Sequence, residues 1–150
     1  MAVYTPIDDA EMVSILALYD CGQFVAAKPI SEGVENTNYL LITQKNGLQS
    51  RYILTIYEQR VNSDDLPFYC GLMQHLAKKG RQCPLPIADK QGRVVQEIQR
   101  KRGALFSFLA GSSVIRIQPQ HTAALGIELA TMHKAVSDFE GTLMNQLAPD

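Results

Sequence analysis

The chain has 150 residues, 46% of them hydrophobic and 19% charged, with 14 Lys and Arg against 15 Asp and Glu. A chain this long buries roughly 70% of the surface it exposes when unfolded, so it can build a core without staples, and its composition argues against disorder. The net charge of −1 removes any global electrostatic pull toward nucleic acid or an anionic membrane.

Cys21, Cys70 and Cys83 include no C-x-x-C pair, so they indicate neither a disulfide scaffold nor a zinc knuckle. The opening MAVYTPIDDAEM lacks the basic flank and apolar centre of a signal peptide. No apolar run approaches the ~20 residues that span a bilayer. These features predict a reduced, soluble, cytoplasmic protein: one domain, or one lobe of a larger one.

Taken in chain order, Thr5 and Pro6 read as the cap and first turn of a helix. Met12, Ile15, Leu16 and Tyr19 form its stripe, and Gly22 stops it. Asp8, Asp9 and Glu11 sit near its start, where the dipole favours acids. Residues 23 to 30 read as a short strand, and Ile30 to Asn38 as a loop with one glycine and two asparagines. Strand character returns at Tyr39 to Ile42, and Lys45-Asn46-Gly47 supplies a turn. In Arg51 to Glu58, alternation puts Tyr52, Leu54 and Ile56 on one face and Ile53, Thr55 and Tyr57 on the other.

Asp64 and Asp65 are expected to cap a second helix over 65–79, with the stripe Leu66, Tyr69, Met73 and Leu76 and Gly80 beyond its end. Cys83 to Pro86 predicts a stiff, extended passage. Val94 to Ile98 and Leu105 to Leu109 read as two more strands around a basic turn. Pro119 opens a third helix whose stripe is Leu125, Leu129, Met132 and Val136. The expected class is α+β, with a five-stranded antiparallel sheet and the 65–79 helix on one face. Strand material ends near Gly111, which divides the chain into 1–111 and 112–150. The third helix should find too few partners inside the chain, and the tail from Leu143 looks like an arbitrary end.

The chemistry-bearing residues give weak signals by themselves. His121 and His133 lie 12 positions apart, about 120° around a helix, which is not the i, i+4 geometry of a zinc pair. Cys83 with His75 as its base lacks a third group, so the thiol reads as a small buried hydrophobe. Eight basic residues between Lys78 and Arg102 face only Asp89 and Glu97. A solvated face explains them, and no interleaved aromatics indicate nucleic acid. The Ile30 to Tyr39 loop has the backbone donors to close over phosphates, yet only Gly33 where a G-x-G-x-x-G or Walker pattern needs several glycines.

The stretches PISEGVENTNYLLIT, RYILTIYEQRV, DLPFYCGLMQHLAKKG and CPLPIADKQG, with ALFSFLAG and HTAALGIELATMHKAVSDF, resemble the amino-terminal part of homoserine kinases. These belong to the aminoglycoside-phosphotransferase-like group, and the resemblance covers nearly the whole chain. It implies a protein-kinase-like small lobe over 1–111, then the start of a helical large lobe over 112–150. It further implies ATP and Mg2+ as cofactors, L-homoserine as substrate, and no nucleic-acid or membrane partner. The Ser31 to Asn38 loop would cover the ATP phosphates, and Phe106 to Gly111 would be the hinge that meets adenine. The nucleotide-binding residues it implies are Ser31, Gly33, Val34, Asn36, Asn38, Thr55, Phe108 and Leu109.

Two departures accompany it. Thr55 stands where kinase-like folds commonly place a phosphate-binding lysine on the third strand, leaving Arg51 or Arg60 as replacements. The 65–79 helix has Gln74 at its middle and no glutamate for a Lys–Glu clamp. No HGD-like catalytic loop or magnesium aspartate follows His133, so no catalytic residue or metal ligand is expected within these 150 residues. The alternatives are another small-alcohol or amine kinase, or a noncatalytic nucleotide-binding or interaction module.

Overall fold

The computed structural model describes residues 4–31, 35–58 and 62–143. In order these form α1 (Asp9–Leu16), β1 (Gln23–Ile30), β2 (Asn36–Lys45), β3 (Leu48–Tyr57) and a 3-10 turn (Ser63–Asp65). Next come α2 (Leu66–Lys78), β4 (Pro86–Ile87), β5 (Val95–Ile98), β6 (Lys101–Ser107) and α3 (Pro119–Ala135). The strands make one antiparallel sheet in the order β1-β2-β3-β6-β4, with β5 also paired to β6. The expected class is present, with six strands rather than five. The added one is Pro86–Ile87, which lies opposite Phe106 and Leu105. The extended backbone that proline imposes is already strand-like, and it needed only a partner.

Period-two alternation assigns the two faces. In β2, Thr37, Tyr39, Leu41 and Thr43 are buried while Asn36, Asn38, Leu40 and Ile42 are half-buried. In β3, Leu54 and Ile56 are fully buried and Ile53, Thr55 and Tyr57 are half-buried, which is the division predicted. The buried face receives α1. Met12, Ile15, Leu16 and Tyr19 join Leu41, Leu54, Ile56 and Leu105 in the main core. Each such side chain contributes roughly 1.5–3 kcal/mol of transfer free energy. The other face receives α2, whose Cys70 meets Ala104 and Phe106, with Ile53, Tyr57 and Met73 packed around them.

Several local expectations change. Thr5 does not cap α1. Asp8 does, accepting from Glu11 N at 2.8 Å, because the Thr5 hydroxyl is taken by Glu58 Oε1 at 2.7 Å. The helix stops at Leu16, although Tyr19 still reaches the core. Gly22, φ +92°, instead serves the entry to β1, where a Cβ would lie 2.6 Å from Gln44 O. Asp65 is the N-cap of α2 but makes no side-chain cap bond. On α2, Leu66 and Leu76 are buried as expected, but Cys70 takes the buried position and Tyr69 is 40% exposed. Tyr69 lies about 100° round the helix from Cys70, off the packed face.

The Asn46-Gly47 turn forms as read, with both residues at positive φ and Lys45 opposite Leu48. The basic turn is tighter than expected. Gln99 and Arg100 make it, at φ +48° and +64°, and Ile98 pairs with Lys101. Lys101 and Arg102 therefore begin β6, which ends at Ser107 and leaves Phe108 and Leu109 beyond the strand. At the sheet edge, β1 contains Lys28 and Pro29 and a register shift between Phe24 and Ala26. On α3, Leu125 and Leu129 are exposed and none of the helix's residues is buried, as the shortage of partners predicted. Among the described residues no helix is long and apolar enough to cross a membrane.

Candidate functional site

On the α2 side of the sheet, β2, β3 and the segment after β6 border an open cleft of about 470 Å³. The strand register orders its lining. Asn36 lies opposite Tyr57, Asn38 opposite Thr55, and Ile53 opposite Phe106. One end is polar, with Asn36, Asn38 and Thr55. The other is apolar, with Ile53, Met73, Pro84, Phe106, Phe108 and Leu109. Four strand residues, about 13 Å at 3.3 Å each, separate Ile53 from Tyr57. The cleft is therefore long enough for a flat ring at one end and an anionic tail at the other.

The apolar end is framed by Ser107. Its N–H donates to Leu85 O at 2.8 Å, and its hydroxyl oxygen accepts from Leu85 N at 2.8 Å. Past it, Phe108 and Leu109 make no backbone hydrogen bond among the described residues. Their amides and carbonyls are thus available to the edge of a planar heterocycle. The Arg51 guanidinium lies over the Phe108 ring, 4.1 Å from its centroid. Arg51 is four residues from Thr55, about 13 Å along the strand, so it belongs to the ring end and does not replace the missing lysine. Arg60 lies outside the described residues.

At the polar end Thr55 Oγ1 donates to Asn38 Oδ1 at 2.8 Å, and Glu58 N donates to Asn36 Oδ1 at 3.4 Å. Burial pushes the neighbouring Tyr57 hydroxyl up to about 12, with Cys70 adding to it, so it remains a neutral phenol. The opposite face of the same strands holds a charged cluster. Glu58 accepts from Thr5 Oγ1 at 2.7 Å, from Thr37 Oγ1 at 2.8 Å and from Lys101 Nζ. Lys101 also donates to Thr5 Oγ1 at 2.6 Å, while Thr37 Oγ1 accepts from the amides of Tyr4 and Thr5 at 2.9 and 3.1 Å. Burial works to raise the Glu58 carboxyl, but these hydrogen bonds outweigh it and hold the group below its ordinary value. The chain has a Lys–Glu pair, then, but on the core face and without a residue of α2.

Of the residues implied by resemblance, Asn36, Asn38, Thr55, Phe108 and Leu109 share the cleft. Ser31 is exposed at the end of β1 and is not among the lining residues. Gly33 and Val34 lie outside the described residues. Phe106 and Ser107, from the expected hinge, line it too, whereas Ile53, Tyr57, Met73 and Pro84 also line the cleft and were not foreseen. The alternation that placed Ile53 and Tyr57 beside Thr55 would have found those two.

Of the eight basic residues of 78–102, four pair with acids, Lys79 with Asp138 at 2.5 Å, Arg93 with Asp89 at 2.9 Å, Arg81 with Glu128 at 3.5 Å, and Lys101 with Glu58, while Lys78, Lys90, Arg100 and Arg102 are exposed, as a solvated face requires. Cys83 donates to Met73 O at 3.1 Å, and burial raises its thiol. His75 reaches Ala135 O and Asp138 instead, so the two form no nucleophile–base pair. His121 Nδ1 accepts from Gln118 N in a capping box.

The architecture is that of kinase-like phosphotransferases. It superposes on the spectinomycin phosphotransferase APH(9)-Ia, solved with ADP and spectinomycin, with a TM-score of 0.66 over 87% of this chain and 39% of that one, at 12% identity. The chain belongs to the phosphotransferase enzyme family, whose model matches residues 26–149. It is 49% identical over 148 residues to a homoserine kinase of Paramagnetospirillum magneticum, covering 99% of this chain and 44% of that protein. It is 48% identical over 139 residues to a homoserine kinase of Allorhizobium ampelinum, covering 93% and 42%. A homoserine kinase of Xanthobacter autotrophicus is 46% identical over 148 residues, covering 99% and 45%. The chain thus spans less than half the length of these relatives.

Proposed function

We propose that this chain is the nucleotide-binding part of an ATP-dependent kinase that phosphorylates the hydroxyl of L-homoserine, on the route to threonine. The observation that carries the reading is the run of relatives named homoserine kinase at 46–49% identity across the chain. The cleft supports it. Adenine would lie against Ile53 and Phe106 and meet the backbone of Phe108 and Leu109, leaving the phosphates toward Asn36 and Asn38. In this reading residues 1–111 are the small lobe and 112–150 begin a helical large lobe. The exposed Leu125, Ile127 and Leu129 are suited to such a lobe.

Among the described residues no three His, Cys, Asp or Glu converge on a metal site. Mg2+ in phosphoryl transfer is held by one or two carboxylates together with the substrate phosphates, and in this reading those carboxylates and the alcohol-orienting base belong to the longer protein rather than to these residues. Their contribution is to bind and orient the nucleotide, which is much of what phosphoryl transfer asks of a protein.

The test is the natural reading frame that carries this sequence, expressed whole and assayed with ATP. It should transfer phosphate to L-homoserine in preference to choline or an aminocyclitol. Preference for another small alcohol or amine would overturn the substrate. A folded product that binds nucleotide but transfers to none of them would make the protein a noncatalytic module.

A further inference from the structure

We propose that Asn36 and Asn38 form a pair of uncharged phosphate donors in place of a β3 lysine, and that Thr55 positions Asn38 rather than touching the nucleotide. The inference rests on the nucleotide reading above and assigns the chemistry of its polar end.

A carboxamide carries one acceptor oxygen and an NH2 with two donors. In both asparagines the oxygen is already engaged: Asn38 Oδ1 by Thr55 Oγ1 at 2.8 Å and Asn36 Oδ1 by Glu58 N at 3.4 Å. The second contact fixes the polarity of Asn36, because a backbone N–H can only donate and so must meet the oxygen. Among the described residues neither Nδ2 has a protein partner, and both residues line the cleft. Two NH2 groups are thereby left for a ligand that brings acceptors only. A phosphate is such a ligand.

On β3 the cleft is lined by Ile53, Thr55 and Tyr57, none of them a cation, and Arg51, next on the same face by alternation, is stacked on Phe108 at the other end. A neutral donor makes a bond roughly half as strong as a charged one, so two amides stand in for one ammonium. Thr55 commits its single hydroxyl hydrogen to Asn38 Oδ1 and so has no donor left for a phosphate. Its role is to tie back the oxygen and so turn the NH2 outward.

Asparagine-to-aspartate exchange isolates the effect. A carboxylate still accepts from Thr55 or from Glu58 N, so local structure is kept, while the donor becomes a repelling oxygen. The 150-residue chain is titrated with adenosine and with ADP, free of divalent metal, and followed by amide NMR shifts that read millimolar affinities. N38D and N36D should each weaken ADP by about tenfold and leave adenosine within about twofold. T55V should weaken ADP about threefold, and T55S, which keeps the hydroxyl, should restore it. Retained adenosine binding doubles as proof that each variant is folded. ADP binding unchanged in both aspartate variants overturns the assignment while leaving the nucleotide reading intact. Equal loss of adenosine and ADP also overturns it, by moving the amides to the base or sugar. A wild-type chain that binds neither ligand removes the nucleotide reading, and this assignment with it.

Discussion

The two faces of β2 and β3 are made from alternate residues of the same strands and have opposite characters. Toward α1 the residues are closed over: Leu41, Leu54 and Ile56 have no exposed surface, and Thr37 is equally buried within the Glu58–Lys101 cluster. Toward the cleft, Asn36, Asn38, Ile53, Thr55 and Tyr57 are only half-buried, and the two asparagine NH2 groups are left to a ligand. The difference teaches that a closed core and an open cleft need not come from separate segments. One strand supplies both, because successive side chains point to opposite sides.

The contrast breaks most visibly at adjacent residues. Leu54→Ala, on the closed face, should cost about 2–5 kcal/mol in denaturant unfolding, whereas Ile53→Ala, on the open face, should cost clearly less. Equal losses would mean that the faces are energetically alike. Next in size is Lys101→Met, which strands the Glu58 carboxylate with only hydroxyl donors. With Glu58 11% and Lys101 34% exposed at their side chains, solvent reduces the penalty of a fully buried pair to about 1–3 kcal/mol.

Glu58 also sharpens the contrast through pH. Its folded pKa is held below the ordinary 4.5, the bonds from Lys101, Thr5 and Thr37 outweighing burial. A depressed folded pKa stabilises above the unfolded value and loses that contribution as pH falls through the folded one. Wild type should therefore exceed Glu58→Gln in Tm at pH 7, and the gap should narrow as pH drops below 4.5. A constant gap would show that the charge is not what matters. Smaller again, Thr37→Val removes a hydroxyl that joins Glu58 to two backbone amides and should cost about 1 kcal/mol. Least of all, Tyr57→Phe on the open face should change stability by under about 0.5 kcal/mol, since no hydrogen bond engages its hydroxyl among the described residues.

Sequence reading carried the fold wherever a local period decided it. The stripe Met12, Ile15 and Leu16, the alternation in Arg51 to Glu58 and the Asn46-Gly47 turn all rest on near-neighbour geometry, and all are present, while Tyr19 reaches the core from beyond the helix end. It failed where a distant residue competes for a local group. Thr5 is a good helix cap in isolation, yet Glu58, 53 positions away, accepts its hydroxyl. Tyr69 matches a helical stripe as well as Cys70 does, and only the position of Ala104 and Phe106 chooses between them. Pro86 and Ile87 carry no strand period at all, and become a strand because β6 passes beside them.

The site divides in the same way. Asn36, Asn38, Thr55, Phe108 and Leu109 were reached through resemblance, and they do converge. Yet no pattern in the sequence says that Asn38 oxygen faces Thr55, which is a matter of register between strands 17 positions apart. Nor does a heptad or an alternation reveal that Arg51 spends its charge on the Phe108 ring. Of the basic residues, composition gives only a total. Pairing with Asp89, Glu58, Asp138 and Glu128 emerges once the chain is folded.

The outermost strand bears on how copies of this protein meet one another in a crowded solution. An unpaired strand offers a ladder of donors and acceptors to any extended chain that drifts past, the first step of aggregation through strand addition. β1 interrupts that ladder three times within eight residues: a register shift between Phe24 and Ala26, a cation at Lys28, and at Pro29 a backbone nitrogen with no hydrogen to give. At the far side β6 is flanked by β4, two residues long, and β5, four residues long, and edge strands this short offer little template. Such a sheet ends where its own sequence ends it, and molecules that collide along this border have little with which to zip together.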